Sequence, residues 1–344
     1  MIMYEEAARK IGECIDKKPK EDSYPEFSYK GYDAFPLSKN NFKDIKKLEG
    51  LKSIAFIDGG NAEIVGSVNF SLSLVKTAAV IFQGDRKVKS IKNEFFVFAE
   101  AIKKDGKIAY SAKSWDDNQY NLDFSIDSLD KSLVVGSKRA DIGSIANVCR
   151  RISELHLAEK ISKEKLADIV VIDGNLECAF EKEKEAMEKV QQSCIMNNVS
   201  LCSLSKKSSL FTDDGNSLSI AVDSLSTLKK WSYYPIVKIT NPHHKAEMFL
   251  VKLHEKSKHV FRFEIFSGQK DHADDIISCL ASNSKDASFP GYPYGMVEAD
   301  SIARVSNREK EMVSTRIKMM LKAGEIERHE YQRNAHEILD NLKF

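Results

Sequence analysis

The fold is decided by two similar stretches of sequence, SIAFIDGG at residues 53–60 and ADIVVIDGN at residues 167–175. Each is a run of Ile, Val, Phe and Ala, which predicts a buried strand, and each ends in Asp-Gly, which predicts a turn. An Asp-Gly pair after a single strand is first of all a turn signal. Two such pairs after two core strands indicate that Asp58 and Asp173 are carboxylates left open to a ligand by the glycines that follow them.

The order of elements around these stretches is typical of an α/β fold with an RNase H-like core, a mixed sheet flanked by helices. The strand that ends at Asp58 is followed by two strands that can pair as hairpins, a helix, the strand that ends at Asp173, a helix and another strand. In that topology a parallel crossover returns the chain beside its first strand, so we expect the two aspartates to meet. The strands are predicted at 53–58, 63–82 (two strands), 167–173, 199–205, 236–239, 248–253 and 261–266, and the helices at 138–160, 181–196, 272–281 and 296–321.

The chain is predicted to have three regions. Residues 1–50 form an N-terminal helix and an extended arm for dimer or partner contacts, and 51–310 form the RNase H-like domain, with 83–137 as a β-rich insertion or an elaborated edge. Residues 311–344 form a C-terminal helical tail. The arm needs a surface for its aromatic side chains, either on a partner or on its own domain, because it carries Tyr24, Phe27, Tyr29, Tyr32 and Phe35.

Composition excludes several classes of protein but does not select a partner. Of the 344 residues 42% are hydrophobic and 30% charged, as in ordinary globular proteins, and the formal net charge is +1. Basic stretches such as 86–92 are usually solvated faces, so charge neither supports nor excludes nucleic acid. The six cysteines contain no Cys-x-x-Cys pair, which favours reduced core residues of a cytoplasmic protein. Neither a signal peptide nor a membrane-spanning apolar run is expected.

Two neighbouring carboxylates repel each other and raise each other's pKa unless a cation lies between them. Mg²⁺ and Mn²⁺ prefer such hard oxygen ligands and support phosphodiester cleavage. Lys206 directly follows a predicted strand, so it is placed to contact a scissile phosphate or the attacking water. The alternative is that it is an ordinary surface lysine beside Lys207. Asp300 and Arg304 are four residues apart and follow a Gly-Tyr-Pro turn. This spacing fits a role of Asp300 as a metal ligand as well as an ordinary ion pair within a helix.

Together these motifs resemble the NurA nucleases. The resemblance rests on IDGG, IDGNL, Ser-Lys after a strand, and GYPYGMVEADSIARV at 291–305, in this order. It implies a nuclease that uses Mn²⁺, or Mg²⁺, with two ions per site. The family degrades DNA from 5′ ends, cuts single strands internally, forms homodimers and works with HerA, a hexameric ring ATPase. It is associated with double-strand break repair, and a role in defence against foreign DNA is an open alternative.

The resemblance also implies roles for six residues. Asp58 and Asp173 fall on metal ligands, and Lys206 and Tyr292 fall on the family's active-site lysine and tyrosine. Asp300 stands where many relatives carry histidine. The implied catalytic residues are Asp58, Glu154, Asp173, Lys206, Tyr292 and Asp300, of which Asp58, Glu154, Asp173 and Asp300 bind metal.

The glutamate on the helix before the second aspartate strand has two candidates. Glu154 is the better match by position, and Glu159 is the reserve. Glu154 lies off the apolar stripe of its helix, so an ordinary pair with Arg150 is the alternative to a ligand role.

Two other functions remain open from the sequence. An actin-like or sugar-kinase-like phosphotransferase also opens with strand-Asp-Gly-Gly, but it needs a second glycine-rich phosphate loop and an adenosine motif, which this sequence lacks. A non-catalytic module that docks DNA ends or an ATPase would keep the fold without the chemistry. Asp300 in place of histidine is the feature that favours it.

Overall fold

The structure, a computed structural model, describes residues 2–15, 20–47, 51–115, 122–134, 138–206 and 208–321. Within this part of the chain, no helix is both long and apolar enough to cross a membrane. The strands are β1 (Pro25–Glu26), β2 (Tyr32–Ala34), β3 (Phe42–Asp44), β4 (Ser53–Gly66), β5 (Phe70–Gln83), β6 (Arg86–Lys104), β7 (Lys107–Trp115), β8 (Asp123–Asp127), β9 (Ile169–Asp173), β10 (Ser200–Ser205), β11 (Phe211–Thr212), β12 (Trp231–Tyr233), β13 (Val237–Ile239), β14 (Ala246–Lys252) and β15 (Phe261–Phe266). The helices are α1 (Ile2–Ile15), α2 (Ile145–Lys163), α3 (Glu181–Asn197), α4 (Leu218–Leu225), α5 (Ala273–Ser282), α6 (Tyr294–Ala303) and α7 (Asn307–Met320), with 3-10 turns at Lys39–Asn41, Ile142–Ser144 and Ser267–His272.

One mixed sheet of 11 strands forms the centre of the fold, in the order β3-β12-β14-β15-β10-β9-β4-β5-β6-β7-β8. The strands β4, β9 and β10 run parallel to one another, with β9 in the middle. On the far side of β4, β5 and β6 continue the sheet as antiparallel hairpins. The prediction of a mixed sheet flanked by helices is confirmed.

The central strands are buried on both faces. Ile57 of β4 packs with Leu155 of α2 on one face, whereas Phe56 packs with Met296 of α6 on the other. Because side chains alternate along a strand, Asp58 falls on the α6 face with Phe56. The core therefore sets the side of the sheet from which this carboxylate emerges.

The turn predicted after Asp58 is wrong. β4 continues through Asp58 to Gly66, and Asp58 pairs with Ala78 of β5 in a ladder whose register does not shift before Glu63. A Cβ on Gly59 would overlap the Glu154 carboxylate, and one on Gly60 would overlap the carbonyl of Ala303. The two glycines are thus explained by helices approaching the strand closely, not by a turn.

Asp173, by contrast, is the last residue of β9. Gly174 follows with φ of +97°, a left-handed conformation that glycine adopts without strain. Here the predicted turn is confirmed.

The single helix predicted over 296–321 is also wrong. The chain forms α6 and α7, separated at Arg304–Ser306. Ser306 caps α7, because its hydroxyl accepts a hydrogen bond from the backbone N–H of Glu309 at 3.2 Å. Ser-x-x-Glu is the sequence signature of such a helix start, and it marks the break. Of the predicted tail at 311–344, residues 322–344 lie outside the described residues.

Residues 83–137 extend the sheet. β6 pairs along β5, and β7 and β8 add the outer edge. Of the two descriptions given for this region, the described part corresponds to an elaborated edge; residues 116–121 and 135–137 are not described.

The N-terminal arm packs on its own domain. β1, β2 and β3 pair with β11, β13 and β12 respectively. Phe27 and Tyr32 stack on each other with ring centroids 5.0 Å apart, and the Tyr32 hydroxyl donates to Glu177 at 2.9 Å. Tyr24 and Tyr29 remain exposed. The parent domain therefore covers part of the aromatic surface of the arm and leaves part open.

The cysteines are free thiols. All except Cys14 are buried, in agreement with the prediction of reduced core residues. Burial raises the pKa of the Cys149 thiol to about 12, so this group stays a neutral thiol at physiological pH.

Gly295 fixes the distance between α6 and β4, because a Cβ at this position would overlap the ring of Phe56. Gly295→Ala is expected to lower the free energy of unfolding by about 1–3 kcal/mol, the usual cost of overpacking a core. Urea denaturation followed by circular dichroism measures this change.

Gly12→Ala in α1 is the matched control, because a Cβ there meets nothing within 4 Å. It is expected to leave stability unchanged or slightly higher. Equal stability of Gly295→Ala and wild type would show that α6 does not depend on this close contact.

Candidate active site

Asp58 and Asp173 lie side by side on neighbouring parallel strands. The register pairs Ile57 of β4 with Ile172 of β9, so the residues that follow these two are adjacent. Asp58 is 4% exposed, whereas Asp173, at the strand end, is half-buried. The crossover topology therefore brings together two carboxylates that are far apart in the sequence, as predicted.

Lys206 lies between three carboxylates. Its Nζ is 3.2 Å from Asp58 Oδ2, 3.3 Å from Asp173 Oδ2 and 3.0 Å from Asp300 Oδ1. It follows directly after β10, the neighbour of β9, which explains how the side chain reaches both strands. Burial works against its charge, but the carboxylates of Asp173 and Asp58 more than offset this, so the pKa of Lys206 is raised. The carboxylates thus surround one positive charge.

The Asp58 carboxyl is electrostatically strained even with this partner. Its pKa is raised to about 7 by burial first and by the negative charges of Asp173 and Glu154, while Lys206 opposes the shift. Such a group is stabilised in its charged form by additional positive charge.

Glu154 reaches the site from the opposite face of the sheet. It is 1% exposed on α2, its carboxylate abuts Gly59 of β4, and its charge acts on both Asp58 and Asp173. Arg150 and Arg151 form ion pairs with it, so the predicted alternative of a pair with Arg150 is also present.

Glu159, the other candidate on this helix, does not take part in the cluster. It pairs with Lys163 at 2.6 Å, and no contact with the aspartates is found among the described residues. The two glutamates are thereby distinguished: Glu154 is the one that the fold brings to the carboxylates.

Asp300 and Tyr292 come from α6 and the turn before it. Asp300 accepts from Arg304 at 2.6 Å as well as contacting Lys206, so it makes the helix ion pair and also faces the cluster. These cations lower its pKa against the opposing effect of burial. Tyr292 is 2% exposed and lies close enough to Asp173 and Asp58 for their charges to act on its hydroxyl, whose pKa burial raises well above the usual value.

The loop after Asp173 is held by side chains that the sequence did not single out. Ser205 Oγ donates to the carbonyl of Gly174 at 2.6 Å, and Arg151 donates to the carbonyl of Asn175 at 2.6 Å. The next backbone N–H, of Leu176, donates to Glu264 Oε2 at 2.8 Å. Three successive residues are therefore fixed from three directions, which orients Asp173.

Glu264 is fully buried in β15 yet charged. Burial opposes its charge, but Arg262 and His244 lower its pKa to about 2. The signal in the sequence was an Arg and a Glu at alternating positions of an otherwise aromatic and aliphatic strand, FRFEIF at 261–266. Sequence reasoning missed it because its partners lie on other elements.

The donor set fits a hard divalent cation. Asp173 Oδ1 and the Tyr292 hydroxyl are buried and have no hydrogen-bond partner among the described residues. All the converging acidic groups offer oxygen, which Mg²⁺ and Mn²⁺ prefer. Among the described residues, no group of three Asp, Glu, His or Cys side chains is already arranged to hold a metal ion. Lys206 lies between the carboxylates, at the point where their negative charges converge. A metal would have to replace its ammonium.

Comparisons with known proteins identify a family and a fold for this chain. The NurA domain family model matches residues 52–305. Among solved structures, the NurA nuclease from Sulfolobus solfataricus matches with 15% identity over 83% of this chain and 88% of its own, with a TM-score of 0.50. Ciona intestinalis endonuclease V in complex with a 24mer DNA matches with 11% identity over 75% and 86% of the two chains and a TM-score of 0.38. No curated protein matches the sequence.

The family match spans most of the chain and includes all six residues singled out above, from Asp58 to Asp300. The Sulfolobus solfataricus structure shares the fold of this chain, including its mixed sheet. The chain therefore belongs to the NurA family.

Proposed function

We propose that this protein is a metal-dependent deoxyribonuclease that hydrolyses phosphodiester bonds. The observation that carries the proposal is the convergence of Asp58, Asp173 and Asp300 on one positive charge, from two strands and one helix. Membership of the NurA family supports the same reaction. A cluster of acidic groups that needs cations is what metal-assisted phosphodiester hydrolysis requires.

In this proposal Asp58, Asp173, Asp300 and Glu154 hold two Mn²⁺ or Mg²⁺ ions. Such ions, when bound, supply an activated water and stabilise the leaving oxygen. Lys206, released from the carboxylates, donates from its ammonium to a non-bridging phosphate oxygen. Tyr292 donates its buried hydroxyl to an oxygen in the same pocket. The packing of α6 on β4 keeps Asp300 and Tyr292 on the same side of the sheet as Asp58.

The phosphotransferase alternative is weakened by the surroundings of the two glycines after Asp58. In that class the glycines leave space for a phosphate, whereas here Gly59 and Gly60 lie against Glu154 and Ala303. The non-catalytic docking module differs from the nuclease only in lacking cleavage, so the cleavage assays below decide between them.

The biological setting of the proposed nuclease follows the family resemblance. It acts as a 5′–3′ exonuclease and a single-strand endonuclease, with a HerA-like hexameric ATPase, in repair of DNA ends or in defence against foreign DNA in the cytoplasm. A homodimer is part of the proposal, supported by the resemblance and by the exposed Tyr24 and Tyr29 of the arm.

Asp58→Asn is expected to reduce DNA cleavage in Mn²⁺ by roughly 100-fold or more, because even changes to residues that only hydrogen-bond to the ligands of a metal cost about 10–100-fold. The fold should persist, since the amide is isosteric and relieves repulsion from Asp173. Cleavage of end-labelled single- and double-stranded DNA, with and without Mn²⁺, measures the loss. The matched control is Asp85→Asn in the exposed β5–β6 turn, which should cut normally. Near wild-type cleavage by Asp58→Asn would refute the assignment.

Asp300 distinguishes a ligand from a helix ion pair. Asp300→Ala should lose most cleavage, whereas Asp300→His should retain activity with a stronger preference for Mn²⁺ over Mg²⁺, because imidazole is a softer ligand than carboxylate. Rates at varied concentrations of each ion measure this preference.

Arg304→Ala is the control for Asp300, since it removes the ion pair and leaves the carboxylate. It should retain most cleavage. Full activity in Asp300→Ala would mean that Asp300 serves only to pair with Arg304.

A further inference from the structure

A second feature of the surface is a groove of about 660 Å³ that is rich in lysine. Two carboxylates, Asp44 and Glu255, also line it. The nearby Lys43 and Lys52 are paired with Asp274 and Asp275. In contrast, no ion pair with any described residue is made by the lysines that line the groove, namely Lys46, Lys47, Lys229, Lys230 and Lys285. In a chain of net charge +1 this is a local excess of positive charge.

The register of the sheet places this groove at the same end as the carboxylate cluster. Ser205, which ends β10, pairs with Arg262 of β15, and the start of β15 pairs with the end of β14. The end of β14 pairs with Trp231, and Trp231 pairs with Asp44. Lys229 and Lys230 directly precede β12, and Lys46 and Lys47 closely follow β3. These lysines therefore lie at the end of the sheet where β9 ends in Asp173.

The groove also lies on the Asp58 face of the sheet. It includes Ser278 and Ala281 of α5, a helix that contributes to the same hydrophobic core as α6. His254, another lining residue, comes within 3.7 Å of the Cβ position of Gly291. The residue after Gly291 is Tyr292, which lies close enough to Asp173 and Asp58 for their charges to act on its hydroxyl. The groove thus begins against the turn that carries a predicted active-site residue.

The separation is short on the scale of a nucleic acid. Four strand spacings lie between β9, which carries Asp173, and β12, or roughly 19 Å at about 4.8 Å each. A strand that rises about 3.4 Å per nucleotide crosses this distance in roughly six nucleotides.

We propose that the lysine groove binds the phosphate backbone of a DNA strand, about six nucleotides from the bond that is cut. The inference rests on the proposed nuclease function and adds the path of its substrate. Lysine ammoniums on flexible stems suit phosphates without reading sequence. An acidic protein is the other ligand that such a groove attracts. DNA is favoured because the groove and the carboxylate cluster lie at the same end of the sheet, and DNA is the proposed substrate of that cluster.

The test compares two sets of four lysines, none of which is buried. The groove variant is Lys46→Gln, Lys47→Gln, Lys229→Gln and Lys230→Gln combined. The control changes four lysines to glutamine on the face of the sheet opposite α5 and α6. These are Lys160 and Lys163 of α2, Lys165 just after α2, and Lys189 of α3. Binding of a fluorescent single-stranded oligonucleotide is measured by anisotropy in EDTA, which prevents cleavage, over a range of KCl concentrations.

The groove variant should bind DNA about tenfold or more weakly, and the slope of log K against log salt should fall by about 3, since each phosphate contact on a single strand contributes about 0.7. The control should match wild type. A third variant with arginine at the same four groove positions should retain binding, because it keeps the charge.

Two outcomes contradict the proposal in different ways. If wild type binds DNA and the groove variant binds it equally, with the same salt slope, the groove assignment is wrong and the nuclease proposal stands; the groove would then suit an acidic protein. If wild type binds no DNA, both proposals fail. The arginine variant also controls for lost stability. If it melts at the same lowered temperature as the groove variant but binds DNA normally, then the lower stability does not explain the weaker binding of the groove variant.

Discussion

The parallel pairing of β4 with β9 is the constraint on which the rest of the site depends. It fixes Asp58 beside Asp173, and burial of Asp58 makes their repulsion costly. Two unit charges 4 Å apart interact by about 4 kcal/mol at an effective dielectric constant of 20, a large fraction of the stability of a typical domain. The fold therefore has to supply positive charge at this point, and Lys206 is the residue that does so.

The same constraint explains why small residues surround the cluster. Helix α2 approaches β4 closely enough for Glu154 to reach the carboxylates only because Gly59 has no side chain. On the other face, α6 brings Asp300 and Tyr292 near β4 because Gly60 and Gly295 leave room for the helix. Glycine in a strand weakens it locally, so its presence at consecutive positions here reflects close packing around the site.

Much of this arrangement follows from local sequence pattern. The two apolar runs before Asp58 and Asp173 indicated the central strands, and their order indicated the parallel crossover. The glycines after Asp58 were misread as a turn, because the approach of α2 and α6 is a tertiary contact that periodicity does not record. The break before α7 is marked by Ser306 and Glu309, although a single helix was predicted across it. Arg151 and Glu264, which hold the loop after Asp173, could not be found from the sequence because their partners lie on distant strands and helices.

The most direct test is anomalous diffraction from crystals of the full chain soaked in Mn²⁺. The arrangement of the carboxylates predicts an anomalous peak at ligand-bond distance, roughly 2.1 Å for a small divalent ion, from oxygens of both Asp58 and Asp173. It also predicts that Lys206 Nζ has moved away from the three carboxylates that it contacts without metal. A structure in which Lys206 still bridges these carboxylates in saturating Mn²⁺, with the metal bound elsewhere or not at all, would contradict the proposal that this cluster is a metal centre.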